Sequence, residues 1–458
     1  MNVLITKAED PYQRYVEFRD ARSADDNDTL LIVSFTYQQY WLDNQPIELA
    51  AVYWFSSEAI QFTVVQLQNS SLGIWEVLPD KIEPTLATWL AEHHACLFYL
   101  NEPLPLETVS IPKPWGQEIW YTGVEQRGVA CFSSNKHNVP IPYLLEVMPE
   151  VLGQTENHSL ILLKILDPLP EEIFGDLYFE LHNEKQEVYV VTNIDPKAWP
   201  DGIGHMRMGF NPEKINEHDN EFSSEAKFRQ QFLDQVLTYR KIRFQIDALL
   251  DEKREQQGYA LNAEVPIKQL KQWLTEIPAE LATEEKVHRQ QMESYFGSLP
   301  LKAGDVVKVP LNVPHSLQHG VRTIEFQTPV YERRIISFAQ KVLTQKNWDT
   351  EQGAREMQIV APSLPELDVL SEKEGIRVEQ VVEFSDFQVQ RVTLQAPHTY
   401  QLSSNVYQLL IVLEGALIAG KQDLGPEQAT LVPASPAETL IQTHNSQQVT
   451  FLVATPKS

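Results

Sequence analysis

Residues 179–191 read FELHNEKQEVYVV, and this stretch decides which fold the chain is expected to have. It contains three side chains of the metal-ligand type, Glu180, His182 and Glu187, between residues that favour strands. Alternate residues of a strand share a face, so Glu180 and His182 can point to one side. Four residues then separate His182 from Glu187, which is enough for a turn. The stretch predicts a hairpin that either carries a polar tip or supplies three metal ligands.

A second segment, GDVVKVPLNVPHSLQH at residues 304–319, supplies a fourth candidate ligand. Gly304 and Pro310 suit the turn and the edge of a short strand that would deliver His315. With Glu180, His182 and Glu187 from the first hairpin, His315 would complete a set of two imidazoles and two carboxylates. The alternative is that both segments are ordinary hairpins with polar tips.

In order and spacing, the two segments resemble the paired motifs of the cupin superfamily, which are Gly followed by His-x-His-x3-4-Glu, and Gly-x5-Pro-x-Gly-x2-His-x3-Asn. This chain departs from the motifs in having Glu180 for the first His, Asn312 for the second Gly and His319 for the final Asn. The resemblance implies a divalent metal in a jelly-roll barrel. Imidazole and carboxylate ligands favour Zn2+, while Mn2+ or Fe2+ fit the same set.

Several strings resemble one branch of the cupins, the type I mannose-6-phosphate isomerases. PKPWGQEIW at 112–120 is similar to the opening of that family, and LILLKILD at 160–167 to the strand before its metal hairpin. MRMGFNPEKI at 206–215 and PHSLQHGVRTIEFQ at 314–327 follow in the family's order. The resemblance covers about residues 111–456. Two features depart from the family: Glu180 stands for a Gln, and the loop NEKQ at 183–186 is shorter than its counterpart.

This resemblance implies roles for four cationic side chains. Lys164 would contact the phosphate of a sugar phosphate, and Lys185 matches an active-site Lys of the family. Arg334 would stabilise negative charge on an enediolate, with Arg333 beside it as a substrate-binding residue. For Lys164 and Lys185 the alternative reading is a solvated or edge-strand lysine.

The resemblance also implies two candidates for proton transfer. Glu325 lies on the strand after His315 with the family's spacing, and could move a proton or orient a metal ligand. His319 is a second candidate acid or base, or else it simply occupies the place of the motif's Asn. The residues alone do not select between Glu325 and His319 as the base.

Composition limits the classes of partner. Acidic residues number 63 and basic residues 37, giving a formal net charge of -26, so the chain would repel a nucleic-acid backbone. Only Cys96 and Cys131 occur, which argues against a disulfide framework or a thiolate zinc site. No signal-peptide pattern and no apolar run of about 18 residues is found. We therefore expect a cytoplasmic protein without nucleic-acid or membrane partners.

The pattern of apolar residues predicts a mainly β chain with several domains. Residues 1–105 mix strand-like and helix-like runs, so a small α+β domain is expected there. Residues 111–222 and 298–350 are expected to form a metal-binding cupin domain, interrupted at 223–297 by a helical insertion of two or three helices. Residues 368–458 are expected to form a second cupin domain without a metal.

The leading hypothesis is a metal-dependent aldose-ketose isomerase acting on a small sugar phosphate, with mannose 6-phosphate and fructose 6-phosphate as the expected pair. A non-enzymatic cupin that binds a sugar or a nucleotide sugar in a regulatory role is the alternative. An iron-dependent cupin oxygenase is a third hypothesis. A monomer or a small homo-oligomer is expected.

Overall fold

The structure, a computed structural model, describes residues 2–23, 28–56, 59–68, 72–75, 82–134, 137–153, 160–217, 224–445 and 447–457. Strands dominate, so the mainly β fold class predicted from the sequence is confirmed. No helix within these residues is both long and apolar enough to cross a membrane. The expected boundary between residues 222 and 223 lies outside the described residues.

The elements are numbered in chain order. The helices are α1 Pro11–Ala21, α2 Ile82–Glu92, α3 Ile141–Val147, α4 Pro212–Asn216, α5 Ser224–Gln256, α6 Ile267–Leu274, α7 Ala279–Glu293 and α8 Thr350–Glu356. The strands are β1 Asn2–Lys7, β2 Thr29–Gln39, β3 Gln45–Phe55, β4 Ile60–Gln66, β5 Phe98–Tyr99, β6 Leu104–Glu107, β7 Val109–Lys113, β8 Gly116–Trp120, β9 Val124–Glu125, β10 Gly128–Val129, β11 Cys131–Ser134, β12 His137–Pro140, β13 Leu162–Pro168, β14 Phe179–Leu181, β15 Glu187–Ile194, β16 Gly204–Phe210, β17 Phe296–Leu301, β18 Val306–Val309, β19 His315–Leu317, β20 Val321–Gln327, β21 Arg334–Ser337, β22 Asp368–Lys373, β23 Ile376–Glu383, β24 Phe387–Gln395, β25 Thr399–Ser404, β26 Gln408–Glu414, β27 Leu417–Ala419, β28 Gln422–Leu424, β29 Ala429–Val432, β30 Ser435–Thr443 and β31 Gln448–Pro456.

The chain is divided into two compact units. Unit 1 comprises Met1–Val109, Trp120–Leu162 and Leu367–Ser458, and unit 2 comprises Ser110–Ile119 and Leu163–Glu366. These boundaries differ from the segments expected from the sequence, because residues 120–162 group with both ends of the chain. Composition and periodicity report local structure, whereas this grouping depends on strand pairs between distant parts of the chain.

Unit 1 contains an N-terminal sheet with the strand order β1-β2-β3-β4-β5. Its first helix, α1, begins after Asp10, whose side chain accepts a hydrogen bond from the Gln13 N–H, with Pro11 in the first turn. Leu86 and Trp89 of α2 join buried residues of β2, β3 and β4 in one apolar core. The first segment thus contains both helices and a sheet.

The remainder of unit 1 is dominated by a sheet with the strand order β12-β11-β6-β29-β26-β31-β24-β23-β22. A second sheet, β25-β30-β27-β28, shares an apolar core with it. Since β6 pairs with β29 and with β11, residues from near both ends of the chain complete one sheet.

Unit 2 contains two sheets that contribute to one apolar core. The long sheet has the order β18-β15-β20-β13-β8-β7, and the short sheet has the order β17-β16-β19-β14-β21. Tyr189 and Val191 of the long sheet, and Met206 and Leu317 of the short sheet, belong to this core. Helix α5 adds apolar residues at helical spacing to the same core, among them Phe232. In the described residues between 224 and 297, the predicted helical spacing corresponds to α5, α6 and α7.

Candidate metal centre

Three of the four predicted metal ligands converge inside unit 2. His182 directly follows β14, Glu187 is the first residue of β15, and His315 is the first residue of β19. Each is only 2 % exposed, and one ligand atom from each lies within 4.8 Å of the others. Strands β14 and β19 are antiparallel and pair Glu180 with His315. This pairing places the second segment, residues 304–319, beside the first hairpin.

The hydrogen bonds of the two imidazoles leave the same ring nitrogen available on each. His182 Nδ1 lies 3.0 Å from the carbonyl oxygen of Glu332, and His315 Nδ1 lies 3.0 Å from that of Val313. A carbonyl oxygen only accepts, so each Nδ1 carries the proton and each Nε2 presents a lone pair. The Nε2 atoms lie 3.4 and 3.3 Å from the two carboxylate oxygens of Glu187. This is the arrangement by which a backbone carbonyl orients a metal-binding histidine.

Ionisation of the cluster also suits a cation. Burial lowers the pKa of His182 below its ordinary value, which favours the neutral imidazole. Burial alone would raise the pKa of Glu187, but the Lys185 ammonium, 2.7 Å from its Oε1, opposes this, and that pKa lies well below its ordinary value. Neutral imidazoles and an ionised carboxylate are the forms that ligate a metal.

The unsatisfied atoms test whether a metal fits here. His182 Nε2 and His315 Nε2 are both buried and have no hydrogen-bond partner. Buried polar atoms are normally paired, so two buried nitrogens without a hydrogen-bond partner beside one carboxylate fit a set of metal ligands. The residues present therefore fit a divalent metal with imidazole and carboxylate ligands.

The turn between the two ligand-bearing strands is held by contacts from distant segments. Glu332 accepts hydrogen bonds from the backbone N–H groups of Asn183 at 2.8 Å and of Glu184 at 3.3 Å. The Asn312 N–H donates to the His182 carbonyl at 2.8 Å, and the Asn183 side chain donates to Asn312 Oδ1 at 2.7 Å. The short loop at residues 183–186 is thus held in place by the Glu332 carboxylate and the Asn312 side-chain amide.

Glu180, the fourth predicted ligand, lies at the edge of the cluster. Its Oε1 is 3.9 Å from His182 Nε2, while its Oε2 is buried without a hydrogen-bond partner. The same Oε2 lies 4.0 Å from a guanidinium nitrogen of Arg333. Glu180 is not one of the three residues whose ligand atoms lie within 4.8 Å of one another.

Four charged side chains alternate in sign across the long sheet, and we call them the charged row. Lys113 Nζ lies 3.1 Å from Glu118, Glu118 lies 3.6 Å from Lys164 Nζ, and Lys164 Nζ lies 3.3 Å from Glu325. These residues belong to β7, β8, β13 and β20, which are successive neighbours in the sheet. Strand β15, which carries Glu187, pairs with β20 and places Tyr189 opposite Glu325.

The pKa values of Glu325 and Lys164 in the charged row are both shifted from their ordinary values. Burial raises the pKa of Glu325 to about 8, although Lys164 opposes the shift. Burial would lower the pKa of Lys164, but Glu118 and Glu325 outweigh it and hold that pKa above its ordinary value. Glu325 Oε1 has no hydrogen-bond partner and is buried. The row therefore places a carboxyl group that can exchange a proton near neutral pH on the strand next to the ligand Glu187.

The other predicted cationic residues differ in their placement. Lys185 Nζ lies 2.7 Å from Glu187 Oε1, so this lysine is part of the cluster. The guanidinium of Arg333 approaches Glu180 and also covers the ring of Tyr178 at 5.0 Å. Arg334, the predicted catalytic arginine, instead lies 3.7 Å from Glu332 and 3.5 Å from Glu356.

His319 is not brought together with the cluster. Its Nδ1 lies 2.7 Å from Asp176 Oδ1, and its ring stacks on Trp199 with centroids 4.7 Å apart. Within the described residues, no hydrogen bond or ion pair joins His319 to His182, Glu187 or His315. Asp176 also accepts from the His319 N–H at 3.1 Å, so the pair joins the segment before β14 to the residues between β19 and β20.

Sequence reasoning missed three residues that support the site. Glu118 lies in the PKPWGQEIW string, on strand β8, and that string is the part of the sequence that could have pointed to it. Tyr189 donates to Glu187 Oε2 at 2.8 Å, and it lies two residues after Glu187 on the same face of β15. Glu332 left no such signal, because its contacts lie about 150 residues away in the chain.

Comparison by sequence finds no matching family model and no matching curated protein. Comparison by structure finds phosphomannose isomerases. The mannose 6-phosphate isomerase from Bacillus subtilis matches with a TM-score of 0.53 and 13% identity, covering 77% of this chain and 99% of its own. A mutant phosphomannose isomerase from Salmonella typhimurium matches with a TM-score of 0.52 and 10% identity, covering 78% of this chain and 100% of its own. The chain therefore has the fold of these enzymes.

Proposed function

We propose that this protein is a metal-dependent aldose-ketose isomerase for a sugar phosphate, most specifically mannose 6-phosphate and fructose 6-phosphate. The observation that carries the proposal is the buried cluster of His182, Glu187 and His315, whose two imidazole Nε2 atoms have no hydrogen-bond partner. The fold it shares with two enzymes named for this reaction supports the choice of substrate.

In this proposal His182, Glu187 and His315 hold a divalent metal, and Zn2+ is the preferred ion for that donor set. Glu180 is the fourth ligand, because its carboxylate lies 3.9 Å from His182 Nε2. When bound, the metal would supply Lewis-acid polarisation of the oxygens on the reacting carbons. Tyr189 and Lys185 hold the two oxygens of Glu187 in place at 2.8 and 2.7 Å.

Isomerisation moves a proton between C2 and C1 of the sugar, so it needs a group that both accepts and returns that proton. We assign this role to Glu325, whose buried Oε1 has no partner and whose pKa is raised by burial to about 8. Lys164, 3.3 Å from the other carboxylate oxygen, stabilises the ionised form that accepts the proton and that is restored when the proton is returned. Lys164 is kept cationic in turn by Glu118.

The phosphate of the substrate needs a cation other than Lys164, which is already paired with Glu325. Arg333 fits this role, because its nearest carboxylate, on Glu180, is 4.0 Å away and its side chain is partly exposed. The neighbouring Arg334 lies between Glu332 and Glu356. It positions Glu332, which accepts hydrogen bonds from the turn at residues 183–184. We therefore place the phosphate contact at Arg333 and give Arg334 a positioning role.

The test combines turnover with metal analysis. Protein purified and reloaded with zinc is assayed on a panel of hexose and pentose phosphates, and its bound metal is quantified by mass spectrometry. We expect interconversion of mannose 6-phosphate and fructose 6-phosphate that is lost after chelation and restored by zinc. A folded, metal-loaded protein that turns over none of the panel would sink the proposal. Iron with oxygen uptake, or a sugar bound without conversion, would point to the two alternative functions.

Paired variants separate the two parts of the site. His182→Ala is expected to lose stoichiometric metal, because one of three close ligands is removed. Glu325→Gln is expected to keep the metal and lower kcat at least about 100-fold, the usual contribution of a general acid or base. His398→Ala, a histidine on the turn before β25, is the matched control and should change neither quantity.

A further inference from the structure

A second cavity lies in unit 2, away from the candidate metal centre. Its volume is about 700 Å³, within the range of small-molecule sites, and helices α5, α6 and α7 form one side of it. Asp195, which follows the last residue of β15, lines the cavity, whereas the ligand Glu187 is the first residue of that strand. At about 3.3 Å per residue, the two ends of β15 are roughly 25 Å apart. The cavity is therefore separate from the three candidate metal ligands, and it meets the charged row at Lys113, the outer member of that row.

The walls of this cavity are largely apolar. Ile246 and Leu250 of α5 and Leu270 and Leu274 of α6 face it from the helical side. Ile173 and Phe174 line it from the loop that leads towards β14. A ligand with a hydrocarbon or aromatic body would bury its surface here, at a gain of about 25 cal/mol for each Å² removed from water.

One buried cation in the wall lacks part of its hydrogen bonding. Arg254, near the end of α5, is only 3 % exposed and lines the cavity, and its Nε has no hydrogen-bond partner. Its Nη1 donates to Asp251 Oδ1 at 3.2 Å. Asp251 also accepts from Lys341 Nζ at 2.6 Å, so two cations share this carboxylate. An unpaired buried guanidinium N–H is costly, and an added anion would satisfy it.

The charged groups around Arg254 leave one positive charge that an anionic ligand would neutralise. Arg243 is paired with Asp247 at 2.8 Å, while Arg254 and Lys341 both depend on Asp251. Around Arg254, two cations therefore share one carboxylate. The other charged groups of the lining have partners of their own: Lys113 pairs with Glu118 at 3.1 Å, Asp167 pairs with Arg322 at 2.6 Å, Glu285 of α7 accepts from Tyr239 at 2.9 Å and lies 3.3 Å from Arg289, and Asp195 accepts from the Lys197 N–H at 2.7 Å. Glu264 is exposed at the rim.

From these observations we infer that the cavity binds a small amphipathic anion, with an apolar body against α5 and α6 and a single carboxylate at Arg254. The proposed isomerase reaction does not require this site, and the inference does not depend on that reaction. Lys341 shares Asp251 with Arg254, so this single carboxylate leaves an excess of positive charge beside the cavity.

The first test compares three probes that share one alkyl chain and differ in charge: octanoate, octan-1-ol and octyltrimethylammonium. Isothermal titration of the full-length protein measures each affinity in the absence of sugar phosphate. We expect octanoate to bind with a stoichiometry of one and at least about tenfold tighter than octan-1-ol, since a hydrogen bond to a charged group is worth a factor of that size or more. Equal binding of the three probes would overturn the inference.

Two variants with matched controls locate the bound anion. Arg254→Gln should weaken octanoate at least about tenfold and leave octan-1-ol within twofold. Lys241→Gln removes one charge from an exposed position of the same helix and should change neither. Ala282→Trp fills the cavity from α7 and should abolish binding of both probes, whereas Ala279→Trp at an exposed position of that helix should not.

Thermal unfolding establishes that each variant is folded before it is titrated. If Arg254→Gln does not fold, Ala282→Trp still decides the question, because it leaves every charged group in place. Octanoate that binds Ala282→Trp or Arg254→Gln as tightly as the wild type would show that the anion lies elsewhere and would refute the site. Since the readout is binding alone, a failure of the isomerase assay has no bearing on it.

Discussion

Asn312 holds two turns of the candidate metal centre together. Its φ of +62° lies in the left-handed region, where the cupin motif has a glycine. Asn tolerates this region better than other residues with a side chain, and here its amide also accepts from Asn183. Asn312 therefore adopts a backbone shape that favours glycine and adds a hydrogen bond to the loop between the candidate ligands His182 and Glu187.

Substitution of Asn312 should separate these two contributions. Asn312→Ala loses the hydrogen bond and retains a strained backbone, whereas Asn312→Gly loses the hydrogen bond and relaxes the backbone. We expect Asn312→Ala to have the lower free energy of unfolding of the two variants, by about 1 kcal/mol. Urea unfolding followed by circular dichroism measures the difference. Equal stabilities would show that the backbone is not strained at this position.

At the scale of single residues, the sequence shows which side chains can meet only where the spacing is short. His182 and Glu187 fall within one hairpin, and His315 carries a recognisable Gly and Pro spacing before it. Arg333 and Arg334 are adjacent and identical, so no pattern could tell which one faces Glu180. His319 could not be excluded either, because its partner Asp176 is 143 positions away.

Neighbouring strands of the long sheet carry the charged row, and this is a property of elements rather than of single residues. Lys164 and Glu325 face each other from β13 and β20, and each is largely removed from water. Removing one partner of a buried ion pair leaves an uncompensated charge, while removing both can cost little.

Lys164→Met should therefore lower the free energy of unfolding by about 3 kcal/mol. The double variant Lys164→Met with Glu325→Gln should recover part of that loss, since no buried charge is then left without its partner. Chemical unfolding of the single and double variants measures the coupling. A double variant whose loss equals the sum of the two single losses would show that the residues do not interact.

Asp176 joins the short sheet to helix α7 through a chain of charges. Its Oδ2 lies 3.2 Å from Arg207 of β16, and Arg207 lies 3.0 Å from Glu293 of α7. Burial would raise the pKa of Asp176, but His319 and Arg207 outweigh it and hold that pKa below the ordinary value of 3.8. Ionised Asp176 therefore stabilises the folded state above pH 3.8, and this stabilisation disappears as the pH falls through the lower pKa.

Asp176→Asn should thus be less stable than the wild type at neutral pH, by about 2 kcal/mol. The difference should narrow as the pH falls below 3.8, because the unfolded chain and then the folded wild type take up a proton at this carboxyl group. Free energies of unfolding measured from pH 7 to pH 3 give both curves. A gap of constant size over this range would mean that the Asp176 charge contributes nothing.

For the whole molecule, the mainly β class and the helices after residue 224 were accessible from periodicity, because apolar spacing directly reflects which faces are buried. The two compact units were not accessible in the same way. They depend on pairs such as Leu104 with Leu431 in β6 and β29, and neither strand carries a mark of its partner. Short edge-to-edge pairings of this kind are fixed by the complete chain, not by local pattern.

A fragment that ends at Glu366 should fail to form unit 1. It would lack β29, leaving β6 with an open edge, and it would lose the apolar core that contains Val392, Leu410 and Phe451. An exposed strand edge promotes association, so we expect aggregates by size-exclusion chromatography with light scattering. A monomeric fragment that keeps the near-ultraviolet circular dichroism contributed by the N-terminal sheet in the intact protein would contradict this expectation.

The pairing of β6 with β29 also has a consequence for how the protein is made. Within unit 1, the Tyr121 hydroxyl donates to the Glu427 carbonyl, 306 positions later in the chain. A ribosome that adds about 5–20 residues per second needs roughly 15–60 s to cover that interval. During that time the early strands have emerged without their partners, so β6 keeps an unpaired edge until β29 has been synthesised.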